Sequence, residues 1–184
     1  MRTQPAVKGA LRLFSRIVSG LAFAAASILP AAAFANSAGI NSGLPLPRFV
    51  SLKSSRVNMR VGPGPEYQVE WLYLRRGFPV EIIQEYDNWR KVRDVEGNEG
   101  WILGALLSGE RTAIVAPWNE KNNLVEMRSD PQATNAIVAH VEPGAVTSIK
   151  SCRESWCRVE AQGVSGFVRQ NQLWGVYPDE ALNN

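Results

Sequence analysis

The chain contains one pattern twice, and this repetition limits its possible folds more than any other feature. One stretch opens at Val57-Asn58-Met59-Arg60 and closes at Gly100-Trp101-Ile102; its echo opens at Met127-Arg128 and closes at Gly166-Phe167-Val168. Met59/Met127 and Arg60/Arg128 are 68 residues apart, Gly77/Gly144, Ile82/Ile149, Trp89/Trp156 and Val92/Val159 are 67 apart, and Gly100/Gly166 are 66 apart. A drift this small across the unit describes two copies of one fold with small loop changes.

Each copy reads as short strands. Val57, Met59 and Val61 alternate with Asn58 and Arg60, the period-two pattern of a half-buried strand. Gly62-Pro63-Gly64-Pro65 then forces a loop bearing Glu66 and Tyr67. Further strands are expected over Val69 to Leu74, from Phe78 to Ile82, from Trp89 to Val95 and at Gly100-Trp101-Ile102, with turns at Asp87-Asn88 and Glu96-Gly97-Asn98. A copy of this length is too short for a two-sheet sandwich, so the pattern predicts an all-β chain of two tandem small β-barrels, over residues 48–111 and 112–178. Thr112 to Val115 reads as an apolar segment that completes the first barrel and hands on to the second, with Trp118 packed at the junction. Residues 179–184 read as a C-terminal tail.

The N-terminus is set apart by charge. Arg2, Lys8, Arg12 and Arg16 precede an apolar run from Ile17 to Ala33, and Ala33-Phe34-Ala35 is a small-x-small site, so residues 1–35 predict a signal peptide cleaved after Ala35. The whole chain carries a net charge of +3, but without the leader 16 basic residues face 17 acidic ones. The basic balance therefore belongs to the export signal, and nucleic acid is excluded as a partner. Beyond the leader no run is long enough to span a bilayer. Residues 36–47, rich in Gly, Pro, Ser and Asn, predict a flexible tether. The expected location is periplasmic or secreted.

The run Val57-Asn58-Met59-Arg60-Val61-Gly62-Pro63-Gly64-Pro65, followed by Gly77, Trp89-Arg90-Lys91-Val92-Arg93 and Gly97-Asn98-Glu99-Gly100-Trp101-Ile102, resembles the bacterial SH3-like (SH3b) domain. The resemblance covers residues 48–102 almost end to end. The second copy keeps Met127-Arg128, Gly144, Trp156-Cys157-Arg158-Val159 and Gly166-Phe167-Val168, but has Ser129-Asp130-Pro131-Gln132 in place of the glycine-proline loop. The tandem is similar to exported two-repeat proteins of Gram-negative bacteria. That resemblance implies two SH3-like barrels, no catalytic activity, and recognition of peptidoglycan or of a peptide segment of an envelope protein.

Cys152 and Cys157 are the only cysteines, an even count that favours a disulfide in an exported chain. They flank a plausible hairpin tip, and residues opposite one another in an antiparallel pair lie within disulfide reach. The 67-residue offset places Glu85 and Arg90 at the same two positions in the first copy, where an exposed cross-strand ion pair is expected. A redox pair or metal ligands are competing readings of the thiols, but the spacing is not C-x-x-C and the chain has 1 His. No cofactor or metal is expected.

No nucleophile motif, zinc motif or phosphate loop occurs. His140 sits in the alternating run from Ile137 to Val141 as one strand residue among others. The chemistry-bearing residues are aromatic instead: Tyr67, Trp71 and Trp89 in the first copy and Trp156 in the second are the candidate ligand-binding residues. Alternation puts Trp89 and Val92 on opposite faces, so a core Val92 turns Trp89 outward. Tyr67 and Trp89 together would line a groove for an extended peptide; alternatively Trp89 covers a barrel end. Trp101 is expected in the core, and Arg75-Arg76 in a solvated turn.

Overall fold

A computed structural model describes residues 37–132, 134 and 136–183. The expected leader and its cleavage site at Ala35 lie outside the described residues. The chain is all-β. Strands β1 (Ser37–Ala38) and β2 (Pro45–Leu46) pair with each other. Repeat one follows with β3 (Arg48–Leu52), β4 (Val57–Arg60), β5 (Val69–Tyr73), β6 (Pro79–Tyr86), β7 (Trp89–Arg93), β8 (Glu99–Leu103) and β9 (Leu107–Ser108). Repeat two has β10 (Thr112–Val115), β11 (Val125–Arg128), β12 (Ile137–Val141), β13 (Val146–Arg153), β14 (Trp156–Ala161), β15 (Val164–Arg169), β16 (Leu173–Trp174) and β17 (Leu182–Asn183).

The two sheets have one topology. Repeat one runs β5-β4-β8-β7-β6-β3-β9 and repeat two runs β12-β11-β15-β14-β13-β10-β16. Even the irregularities recur: the register shifts between Met59 and Arg60 and again between Met127 and Arg128, and between Ile82 and Gln84 and again between Ile149 and Ser151. Each core is built from equivalent inward positions, Val57, Met59, Ile82, Val92 and Ile102 in one and Val125, Met127, Ile149, Val159 and Val168 in the other. β10 pairs with β13 and β16, so it belongs to repeat two and does not complete the first sheet.

One glycine per repeat is required by close approach. A Cβ on Gly100 would stand 2.9 Å from the Arg60 carbonyl oxygen, and one on Gly166 would stand 2.9 Å from that of Arg128, each also striking the buried methionine beneath. The invading group is backbone and cannot swing away. Gly166→Ala is expected to cost about 1–3 kcal/mol, read as a lower urea midpoint with an unchanged slope.

The glycine at position 100 also corrects the expectation for Trp101. In β8 the inward places go to Gly100 and Ile102, so Trp101 faces outward, half-buried against the exposed Tyr86 at 6.4 Å between ring centroids.

The register pairs Glu85 with Arg90 and Cys152 with Cys157, as the 67-residue offset requires. Cys152 and Cys157 are disulfide-bonded, with Cα atoms 4.0 Å apart. Closing a loop this short is worth about 2 kcal/mol on a chain-entropy basis; intact mass with and without reductant should differ by two hydrogens, and two free thiols in the oxidised protein would contradict the pairing. The Glu85–Arg90 pair is not at the surface, contrary to expectation. The Glu85 side chain is 0% exposed and accepts from Arg48 Nη2 at 2.7 Å, with Arg90 Nε at 3.4 Å.

Glu85 also holds residues 37–46, which are folded rather than a loose tether. Its carboxylate accepts the Asn41 and Ser42 backbone N–H groups at 3.1 and 2.9 Å and the Ser42 hydroxyl at 2.6 Å. Gly39 lies so close that a Cβ there would meet the carboxylate. Leu46 enters the repeat-one core. The segment lacks apolar periodicity because polar bonds to one buried acid, not an apolar face, fasten it.

Residues 179–183 are likewise no free tail. Leu182 and Asn183 pair with Cys152 and Ser151. Glu180 takes both Arg111 Nη1 and Nη2, at 2.9 and 3.0 Å. Just before them, Tyr177 crosses to repeat one, with its ring 4.8 Å from Phe49 and its hydroxyl donating to Glu81 at 2.8 Å. Trp174 meets Phe49 edge-on at 5.1 Å.

Candidate functional site

The outer face of repeat one carries a groove that crosses β4, β8 and β7. Because β4 buries Val57 and Met59, its intervening Asn58 and Arg60 face out. The β7–β8 register sets Trp89 against Leu103 on the same side. Arg56 precedes β4, Asn88 sits in the β6–β7 turn, Leu106 follows β8, and Pro65 reaches in from the glycine-proline loop. Together these residues line an open cleft of about 520 Å³. Trp89, Leu103, Leu106 and Pro65 give it an apolar surface, Asn58, Asn88 and two guanidinium groups a polar one, and no carboxylate lines it. Arg60 Nη1 is held by the Tyr67 carbonyl oxygen at 2.5 Å. The Arg56 side chain has no partner among the described residues.

The structure brings only some of the expected residues together. Trp89 is half-buried in the groove, and Val92 is fully buried on the other face, as alternation requires. Tyr67 contributes its backbone through Arg60, while its ring lies over Gly62. Trp71 stands apart on β5, exposed, with Tyr73 at 6.5 Å. Trp156 occupies the Trp89 position of repeat two but is only 8% exposed.

Repeat two forms the same groove in a narrower version of about 320 Å³. It is lined by Leu124, Glu126, Arg128, Trp156, Arg169 and Gln172, the counterparts of Arg56, Asn58, Arg60, Trp89, Leu103 and Leu106. The supporting turn recurs too: Gly104 N–H donates to Asn88 O at 2.8 Å, and Gln170 N–H to Ser155 O at 2.9 Å. The contents differ. Arg169 lies over the Trp156 ring, 4.5 Å from its centroid, and Glu126 pairs with Arg128.

A second cleft, about 500 Å³, lies where the repeats meet and is lined by Phe78, Trp118, Trp174, Pro117, Pro143 and neighbours. Trp118, expected to be packed, is 60% exposed there, because the junction loop carries it outside both cores. The sequence gives a weak signal for this site, the Ala116-Pro117-Trp118 run between the copies.

Among the described residues no group of three or more His, Cys, Asp and Glu could hold a metal. Both thiols are bonded, and His140 is exposed on β12 opposite Glu126. No helix among the described residues is long and apolar enough to cross a membrane.

The sequence description "Bacterial SH3 domain" matches residues 53–109 and again 121–175. The chain belongs to the bacterial SH3 domain family. The two matches coincide with the two sheets, so the repeats are two SH3 domains of this family in tandem. Among curated proteins the chain is similar to the "Putative N-acetylmuramoyl-L-alanine amidase YrvJ" of Bacillus subtilis (strain 168), with 20% identity over 123 residues, or 64% of this chain and 24% of that protein. The chain thus spans about a quarter of that relative's length. Among solved structures it is similar to NlpC2 from Trichomonas vaginalis, with 14% identity, a TM-score of 0.32 and coverage of 70% of this chain and 48% of the other. An NlpC/P60 family protein from Bacillus cereus ATCC 10987 also matches, with 14% identity, a TM-score of 0.31 and coverage of 68% and 55%.

Proposed function

We propose that this chain is an exported, non-catalytic binding module whose repeat-one groove holds a carboxylate-bearing segment of cell-envelope material, the stem peptide of peptidoglycan or a protein peptide. The observation that carries this reading is the groove itself, generated by the topology in both domains and left open in repeat one. Its Trp89, Leu103, Leu106 and Pro65 supply apolar contact for an extended chain, and Arg56 and Arg60 supply the geometry that pairs with carboxylates. The name of the curated relative, an amidase of N-acetylmuramoyl-L-alanine, supports a cell-wall setting.

Purified sacculi should retain the wild-type chain and release Trp89→Ala into the supernatant, with at least a tenfold weaker association if the indole supplies about 1.4 kcal/mol or more. No soluble muropeptides should appear on prolonged incubation. Failure of both proteins to sediment with sacculi would remove the wall version of the proposal.

A structural adaptor role is the second reading, favoured by one edge of repeat one. Among the described residues β5 pairs only with β4, and Trp71, Leu72 and Leu74 near its open edge are exposed. Such an edge accepts an extended strand from another protein. Crosslinking in cells from position 71 against position 89 separates the two readings by which position captures a partner.

A further inference from the structure

The paired grooves differ at one position in a way that decides how many sites the protein offers. Leu103 and Arg169 are structural counterparts at the end of β8 and β15, each directly opposite the groove tryptophan in the register, Trp89 and Trp156 respectively. Leucine leaves the Trp89 face half-open. Arginine lays its planar guanidinium over the indole, in cation–π range, and Trp156 is buried. A second substitution works in the same direction. Glu126 stands where repeat one has Asn58, and it pairs with Arg128, so the guanidinium corresponding to Arg60 is engaged within the groove by an acid. The groove of repeat two is therefore narrower, with its indole face and its Arg128 guanidinium already engaged by its own side chains.

We propose that Arg169 is an intramolecular lid over the tryptophan face of the second groove, so that the tandem is a one-site module and the residue at this position sets its valency. The proposal rests on the reading of the repeat-one groove as the binding site, but its structural half does not depend on any ligand. Occlusion is maintained without a partner because stacking a guanidinium on an indole costs little in hydration, arginine being weakly hydrated for a cation. Repeat two then serves to brace repeat one, through Tyr177 and Trp174, and does not provide a second foothold of the kind that gives avidity.

The test uses the full chain labelled with fluorotryptophan, whose resonances are assigned by Trp→Phe variants, and a soluble paramagnetic agent that broadens exposed rings. In the wild type the Trp89 resonance should broaden severalfold more than that of Trp156. Arg169→Leu should raise the broadening of Trp156 to the Trp89 level, and the reciprocal Leu103→Arg should shield Trp89. If either variant fails to fold, the other still decides. Unchanged broadening of the tryptophan in a folded variant would overturn the lid. Titration with a soluble disaccharide-peptide fragment of peptidoglycan then counts sites. One site in the wild type, none in Leu103→Arg and two in Arg169→Leu is the expected series, and two sites in the wild type would overturn the valency claim. Absence of fragment binding by every variant, with the broadening pattern as expected, would instead defeat the wall ligand while leaving the lid established.

Discussion

Replacing Glu85 with alanine is expected to cost the protein about 3 kcal/mol and to release residues 37–46 from repeat one. The loss is large because one buried carboxylate serves many donors: Arg48 and Arg90 on one side, and Asn41 and Ser42 on the other. Removing it takes the carboxylate from two partly buried guanidinium groups and leaves the segment that starts with β1 with only the Asn41 amide bond to the Asp87 carbonyl and the Arg48 bond to the Pro45 carbonyl. The same residue gives the protein a defined acid sensitivity. Burial by itself would raise the Glu85 carboxyl, but hydrogen bonds from Ser42, Arg48 and Asn41 outweigh it and hold the group at about 2 against an ordinary 4.5. The folded state therefore binds this proton more weakly than the unfolded chain does. The contribution is fully present above pH 4.5, declines as the pH falls from 4.5 toward 2, and is gone below that. Its size is about 3 kcal/mol. Urea midpoints taken from pH 7 to pH 2 should fall for the wild type, and part of that fall should be missing in Glu85→Gln. Identical pH profiles for the two proteins would contradict the role given to Glu85.

Tyr177→Ala carries the second large effect, expected at about 2–3 kcal/mol and expressed as a loss of cooperation between the domains. The ring packs on Phe49 and the hydroxyl reaches Glu81, which is itself bonded to Arg93 at 2.6 Å. Burial, together with the neighbouring Glu81 carboxylate, drives the Tyr177 hydroxyl well above its usual pKa, so it stays a donor across the working pH range. Without this contact the two domains should melt as separate transitions rather than one, visible by calorimetry. Tyr177→Phe keeps the ring and should lose only about 1 kcal/mol. Equal losses for the two substitutions would show that the hydroxyl, not the ring, joins the halves.

Much of this architecture is legible in the sequence because a duplicated pattern reports on itself. The constant offset matches Glu85 to Cys152 and Arg90 to Cys157, and Glu85 does face Arg90 just as Cys152 faces Cys157. Alternation around Val92 is enough to turn Trp89 outward. The same alternation applied to β8 places Trp101 outside, since Ile102 and Trp101 cannot both face the core. Residues 37–46 and 179–183 were opaque for a different reason. Their bonding partners, Glu85 for the first and Arg111 for the second, sit far away in sequence, and polar contacts leave no periodicity. The groove was half-visible. Its tryptophan stands out, but its other walls come from three separated segments that only the β4-β8-β7 order brings side by side.

The paired positions 85/90 and 152/157 fasten equivalent hairpins with different chemistry, a carboxylate in one domain and a sulfur bridge in the other. Protons can undo the first and leave the second intact; electrons from a thiol reductant do the reverse. Acid therefore loosens the clip of one hairpin and reduction that of the other, so neither agent alone removes both.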